Sequence, residues 1–257
     1  MPDIWSTFAQ LEMRYYAAAE PDRARHGDGW FAALSGVRHG ELNVCGLAPG
    51  ATTASADALM AALGDLPALV FTSEQVGADV RGRLVTGGFD AAPVREPLMH
   101  SCGPPAPLSG PFRIAPATPS EIGSAVRVTA EAHHIDHALL SATIAVAFRN
   151  GTASVWLAWE GDEPISAVWL CRSVETIGVM EMMTPVLHQR RGAGRQLLSA
   201  ALAALWTAET TGSILLSTPA GRTLYESLGF VGVDEVITCV RGLEDDVLAA
   251  IGQPAAV

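Results

Sequence analysis

Gln189-Arg-Arg-Gly-Ala-Gly194 is the segment of this 257-residue chain whose residue types most directly imply chemistry. It follows an apolar run, Ile177 to Met183. It opens a segment in which Leu197, Leu198, Ala201, Leu202, Leu205 and Trp206 recur at the helical period. A glycine-rich turn entering a helix binds anions for a physical reason: glycines let backbone N–H groups converge, and the helix dipole adds about half a positive charge there. Arg190, Arg191 and Arg195 bring cations to the same turn. A Gly-x-Gly alone suits a packing glycine at a helix start equally well. The context of strand, loop, helix, a further strand and a Leu224-Tyr-Glu-Ser-Leu-Gly-Phe230 corner favours the anion site.

Composition narrows the chemistry further. Sixteen basic against 27 acidic residues give a net charge of −11, which disfavours nucleic acid and anionic membranes as partners. All sixteen basic residues are Arg. With no Lys, the lysine-dependent phosphate loop and Schiff-base catalysis are excluded. The chain is 49% hydrophobic and 17% charged, which predicts a globular protein with a sizeable core. Cys45, Cys102, Cys171 and Cys239 show no metal-finger spacing and read as reduced thiols. No signal peptide or membrane-spanning run is visible, so a cytoplasmic protein is expected.

The elements that must position the loop can be read around it. Ser101 to Pro111 carries four Pro and two Gly in eleven residues and predicts a linker between two domains, 1–105 and 106–257. Beyond it, Phe112 to Ala115 predicts a short strand, and Thr118-Pro-Ser-Glu121 a capping box opening a helix. Asp136 caps a second helix that runs to an Asn150-Gly151 stop. Ser154–Trp159 and Ile165–Cys171 form a hairpin, followed by the Ile177–Met183 strand and the helix, with Gly212 as its stop. Ser213–Ser217 is a strand, 220–227 a short helix and 236–240 a last strand. His133 and His137 share a helical spacing that invites a metal. Asp136 breaks the segment between them and no third ligand is evident, so no metal is expected. Trp156, Trp159 and Trp169 read as core.

The loop and the Gly-Phe corner, in this order and spacing over residues 112–241, resemble the GCN5-related N-acetyltransferase (GNAT) superfamily. The resemblance implies an α/β mixed-sheet fold with a coenzyme A binding loop, acetyl-CoA as co-substrate and an amine acceptor. It implies that the amides of Arg190, Arg191, Gly192, Ala193, Gly194 and Arg195, preceded by Gln189, bind the pyrophosphate. The backbone of Met182, Met183 and Thr184 would pair with the pantetheine as an added strand. Ser217 stands where the family often has Asn near the pantetheine. Tyr225 stands where a Tyr commonly protonates the departing thiolate, and Glu181 where several members place a carboxylate base. The implied activity is N-acyl transfer to a small-molecule or peptide amine in a ternary complex. A non-catalytic sensor binding coenzyme A through the same loop is the competing reading. In this family the segment of His133 to His137 borders the acceptor pocket, which implies acceptor contact or acid-base work there, and edge strands often pair across a homodimer.

In the first hundred residues, Trp30–Val37 pairs with Gly40–Leu47, and a helix (54–63), strand (66–73) and helix (75–86) precede Gly88-Phe89. This order repeats that leading to Gly229-Phe230 and predicts a second, degenerate GNAT-like half. Leu84 stands there in place of Tyr225, and Ala48-Pro-Gly-Ala51 in place of the phosphate loop.

Overall fold

A computed structural model describes residues 3–242. The end of the predicted second half, residues 243–257, lies outside the described residues. The chain forms two compact units. Among the described residues, one comprises 3–99, 216–222 and 232–242; the other comprises 100–215 and 223–231.

The first unit begins with a helix the sequence pattern did not reveal, α1 (Ile4–Tyr16), capped by the Asp3 carboxylate on the Trp5 amide. Trp5, Phe8, Leu11 and Tyr15 form its buried stripe. Strands β1 (Ala24–Gly27), β2 (Trp30–Leu34), β3 (Asn43–Leu47) and β4 (Ala68–Ser73) follow, with α2 (Thr53–Leu63) between the last two. Then come α3 (Ala78–Thr86) and β5 (Asp90–Ser101). The Leu66–Ser73 and 54–63 expectations are met within two residues. The Gln75 helix starts later, at Ala78, because Ser73 to Gly77 forms a turn with Val76 N–H donated to the Ser73 carbonyl. Leu47, Leu59, Val70, Val80, Leu84 and Phe89 pack into one core beneath α2 and α3.

In the second unit, β6 (Arg113–Pro116), α4 (Ile122–His133), α5 (His137–Ala142) and α6 (Ile144–Arg149) precede the strands β7 (Ala153–Glu160), β8 (Glu163–Arg172) and β9 (Thr176–Met183). Then come α7 (Ala193–Leu205), β10 (Gly212–Leu216) and α8 (Arg222–Glu226), after which the chain returns to the first unit as β11 (Val231–Arg241). Strand order is β1-β2-β3-β4-β11-β5 in the first unit and β10-β9-β8-β7-β6 in the second. The last strand, read in sequence as the end of the second half, pairs antiparallel with β4, from Val236↔Ser73 to Arg241↔Ala68. Both α4 and α7 pack on β7, β8 and β9, and β8 is buried at every position from Pro164 to Cys171. A strand covered on both faces reads as a continuous apolar run, which is why Ile165–Cys171 was legible without alternation.

Two local expectations are corrected. The single helix expected from Asp136 to Asn150 breaks at Thr143, whose hydroxyl donates to the Leu139 carbonyl and whose φ/ψ of −113/−89° is not helical. Helix α7 ends at Leu205 rather than running to Gly212, because Trp206 turns extended and Thr210 Oγ1 accepts from the Thr207 amide in a tight turn. Gly212 instead opens β10. The segment read as a linker is tied to α7: Ser199 Oγ accepts from Leu108 N–H, and Gln196 bonds both the N–H and the C=O of Phe112.

Candidate functional site

The loop from β9 to α7 is built from two backbone conformations that only small or strained residues adopt. Gly192 sits at φ +84° as N-cap, and Arg190 at φ +62°. For Arg190 that left-handed conformation costs about 1 kcal/mol. Left-handed residues interleaved with ordinary ones turn successive N–H groups to one side, forming an anion-binding concavity. No side chain caps α7. Its first-turn amides have no acceptor inside the helix. The first unit shows the opposite arrangement. There Thr52 and Ser55 form a reciprocal capping box, so the protein itself occupies the start of α2.

Beside this turn lies a pocket of about 240 Å³, lined by Leu108 to Phe112 and by Arg191, Gly192, Arg195 and Gln196. Residues 108–112 therefore form one wall of the pocket beside this turn. Arg191 is not a bare cation. It makes a bidentate pair with Glu160 and lies 5.9 Å over the Phe112 ring. This pairing holds the exposed Glu160 carboxyl below its ordinary range. Gln189 closes the loop by donating Nε2 to the Thr184 carbonyl at 2.9 Å. At Gly194 a Cβ would stand 3.0 Å from Met182 Cε, so a larger residue there would push the end of that methionine aside.

Strand β9 carries the rest of the site. Its parallel ladder with β10 spans Thr176↔Gly212 to Gly178↔Ile214, while β9 itself continues to Met183. Met182, Met183 and Thr184 lie beyond the last paired rung. The Met183 carbonyl accepts from Ser166 Oγ, which also meets Thr184 Oγ1, each at 2.8 Å. On the β8 side the register passes from Leu170↔Val179 to Trp169↔Glu181, so Met180 is a bulge. The bulge has a specific consequence. Val179 and Glu181, two residues apart, lie on opposite faces of the sheet instead of sharing one.

Glu181 therefore shares its face with Trp169. Trp169 Nε1–H donates to Thr129 Oγ1 of α4 at 3.0 Å. One helical turn later His133 Nε2 meets Glu181 Oε2 at 2.9 Å. Glu181 is 7% exposed, whereas the His133 side chain remains 26% exposed. Tyr225, on the five-residue helix α8, is buried and packs edge-on against Phe230 at 6.0 Å. Burial, and next the charge of Glu181, push its phenol well above the usual tyrosine range. It is held as a proton donor. His133, Glu181 and Tyr225 thus form one cluster in the second unit. Sequence reading left His133 within a general acceptor-side region. Its i+4 spacing from Thr129 was visible, but the strand partner across the fold was not.

Ser217 belongs to the first unit, is fully buried, and donates its hydroxyl to the Thr218 carbonyl. His137 begins α5 beyond the Asp136 cap, which accepts from the amides of Ala138 and Leu139. Among the described residues, no three His, Cys, Asp or Glu side chains are grouped to hold a metal ion. No described helix is long and apolar enough to cross a membrane. Cys45, Cys171 and Cys239 are buried free thiols, and Cys102 is exposed.

The comparisons with known proteins agree with this geometry. Residues 151–232 match the family model of the acetyltransferase (GNAT) domain. A GCN5-related N-acetyltransferase from Kribbella flavida shares the fold with a TM-score of 0.69 at 16% identity, over 95% of this chain and 98% of that one. Another, from Sphaerobacter thermophilus, aligns at TM-score 0.58 and 12% identity over 93% of both chains. A tandem GNAT protein from the clavulanic acid biosynthesis pathway aligns at 0.53 and 11%, over 84% of this chain and 79% of its own. No curated protein matches the chain significantly in sequence. The chain thus contains, at residues 151–232, a region similar to the GNAT acetyltransferase domain, set in a fold shared with solved GCN5-related N-acetyltransferases.

Proposed function

We propose that the chain is an acyl-CoA-dependent N-acyltransferase that uses acetyl-CoA and a primary amine. The observation that carries the reading is an arginine-flanked helix start without a side-chain cap, in the same unit as a buried carboxylate and a phenol held protonated. The residues fit the donor. Amides at the start of α7, from Arg190 to Arg195, would hold the pyrophosphate, and the edge of β9 at Met182 to Thr184 would receive the pantetheine. Arg195 and the 108–112 strap would flank the nucleotide end.

Bound acetyl-CoA supplies the thioester, at whose carbonyl the amine forms a C–N bond while the C–S bond breaks. Before that, the acceptor ammonium must lose a proton, which Glu181 can take. The bulge at Met180 leaves that residue out of the β8 ladder, and its backbone groups are suited to face a developing oxyanion. Tyr225 gives its proton to the departing thiolate and recovers one from the amine nitrogen, so one proton is released overall. An acidic chain suits a small-molecule or peptide amine that arrives as a cation.

The first unit is read as a degenerate copy of the second. The sequence α, three β, α, β, α, β occurs in both, from α1 to β5 and from α6 to β11. Phe89 N–H bonds Leu84 O and Phe230 N–H bonds Tyr225 O, each at 3.1 Å, with Gly88 and Gly229 at φ +83° and +86°. Leu84 thus replaces the phenol, and the capping box replaces the phosphate site. The β3–β4 ladder runs from Val44↔Leu69 to Leu47↔Thr72, to the last residue of β3, which leaves no edge for a pantetheine.

The test is thiol release from acetyl-CoA in the presence of a panel of primary amines, beside calorimetric binding of acetyl-CoA. Amine-dependent thiol release is expected. Binding without turnover by any amine would identify a coenzyme A sensor, and absence of binding would defeat both readings.

A further inference from the structure

We infer that His133 is a positioning residue for the acceptor-side base, holding the Glu181 carboxylate by a hydrogen bond from Nε2–H; this rests on the N-acyltransferase reading above. The two residues are 48 positions apart and meet at 2.9 Å. They meet through a scaffold that sets their spacing. Thr129 and His133 are i and i+4 on α4, and Trp169 and Glu181 are register partners on β8 and β9. The Trp169–Thr129 hydrogen bond at 3.0 Å locks the first rung, so the second falls within reach one helical turn on. The His134 left-handed cap, at φ +58°, ends α4 directly after His133 and fixes where its side chain leaves the helix.

The bulge at Met180 gives this arrangement its purpose. A regular strand would carry Glu181 to the face of Val179, away from α4. The bulge instead turns it toward α4, where burial would leave a carboxylate exposed to a large desolvation cost unless a donor met it. A carboxylate oxygen can only accept, so the ring nitrogen facing it is the protonated one. The imidazole therefore keeps Glu181 oriented toward the ammonium of the acceptor. Glu181 takes one proton from that nitrogen while Nε2–H stays on His133; the proton leaves to water after transfer. A cationic amine is the acceptor class that this anionic, desolvated end of the cluster selects.

The test compares wild type, His133→Leu and His133→Gln in amine-dependent thiol release, with acetyl-CoA binding followed by calorimetry. Loss of a hydrogen bond to a charged group corresponds to about a 10- to 100-fold fall in kcat for His133→Leu. The donor Kd should stay within about twofold, since the imidazole stands apart from the α7 amides. Glutamine carries an N–H where Nε2 stands, and His133→Gln should recover activity to within about threefold of wild type. Should the leucine variant fail to fold, His133→Asn, whose amide is too short to reach Glu181, replaces it with the same expectation. Unchanged kcat in the folded leucine or asparagine variant overturns the inference, as does failure of glutamine to rescue while donor binding is intact. Those results leave the N-acyltransferase reading standing, whereas a wild-type protein that turns over no amine removes both.

Discussion

Gly192 and Gly50 make a matched pair for testing what the α7 start is for. Each sits at φ +84°, and in each case a Cβ would meet no atom within 4 Å. Replacing either by Ala therefore adds backbone strain without a clash. The left-handed conformation costs an alanine about 1–2 kcal/mol, and a stiffer unfolded chain returns about 0.4–1 kcal/mol of that. Both Gly192→Ala and Gly50→Ala should lose about 1 kcal/mol, a fall in Tm of about 2–4 °C for a chain of this size. Their effects on the donor should differ. Gly50 precedes a helix that Thr52 and Ser55 already cap, whereas Gly192 is itself the cap of a helix with no side-chain cap. A methyl at Gly192 stands at the mouth of the loop, where a phosphate oxygen must approach the amides. Loss of one charge-assisted hydrogen bond, about 1.5–3 kcal/mol, weakens Kd by about 10- to 150-fold. Calorimetry with acetyl-CoA, beside thermal unfolding without it, reads both quantities. Wild-type affinity in Gly192→Ala, or equally weakened binding in Gly50→Ala, would refute a donor-binding role for the α7 start.

Three other outcomes are expected. Tyr225→Phe keeps the ring packed on Phe230, so Tm should move by less than about 3 °C, while turnover falls by about 10²–10⁴ with acetyl-CoA binding unchanged; retained turnover would remove the phenol from the mechanism. Because burial and Glu181 raise the Tyr225 phenol, it remains protonated above the ordinary tyrosine range, and kcat should show no alkaline fall through about pH 10 that disappears in Tyr225→Phe. Glu96 of β5 is buried and accepts from Thr238 Oγ1, and burial raises its carboxyl above the usual value. Its folded form therefore holds a proton that the unfolded chain releases. The stability present below the ordinary carboxylate range is lost as pH rises through the folded value. Glu96→Gln should raise Tm at pH 8 and leave it unchanged near pH 4; a gain at both would point to packing instead.

The sequence alone determined the parts whose physics is local. Glycines at 192 and 194 specify a tight turn into α7 with arginines around it, since the conformations and charges belong to adjacent residues. Apolar periods specified α7 and the β7–β8 hairpin, because burial of a stripe or a run needs only the right spacing. The repeated Gly-Phe corner was legible for the same reason, as both glycines adopt the same left-handed turn.

What the tertiary structure decided was everything that depends on register and on partners distant in sequence. No spacing rule places the bulge at Met180, yet that single extra residue determines which face Glu181 occupies. His133 became a partner of Glu181 only because α4 is laid along β8 and β9 by the Trp169–Thr129 bond. Pro-rich residues 101–111 read as a linker because they carry no period. Ser199 of α7 accepts from the Leu108 amide within them and Gln196 bonds Phe112 just beyond, both through backbone groups whose positions side-chain patterning cannot foretell. The last strand was readable as a strand, but its pairing with β4 was not. Edge groups accept any extended neighbour, and only the assembled unit selects which one.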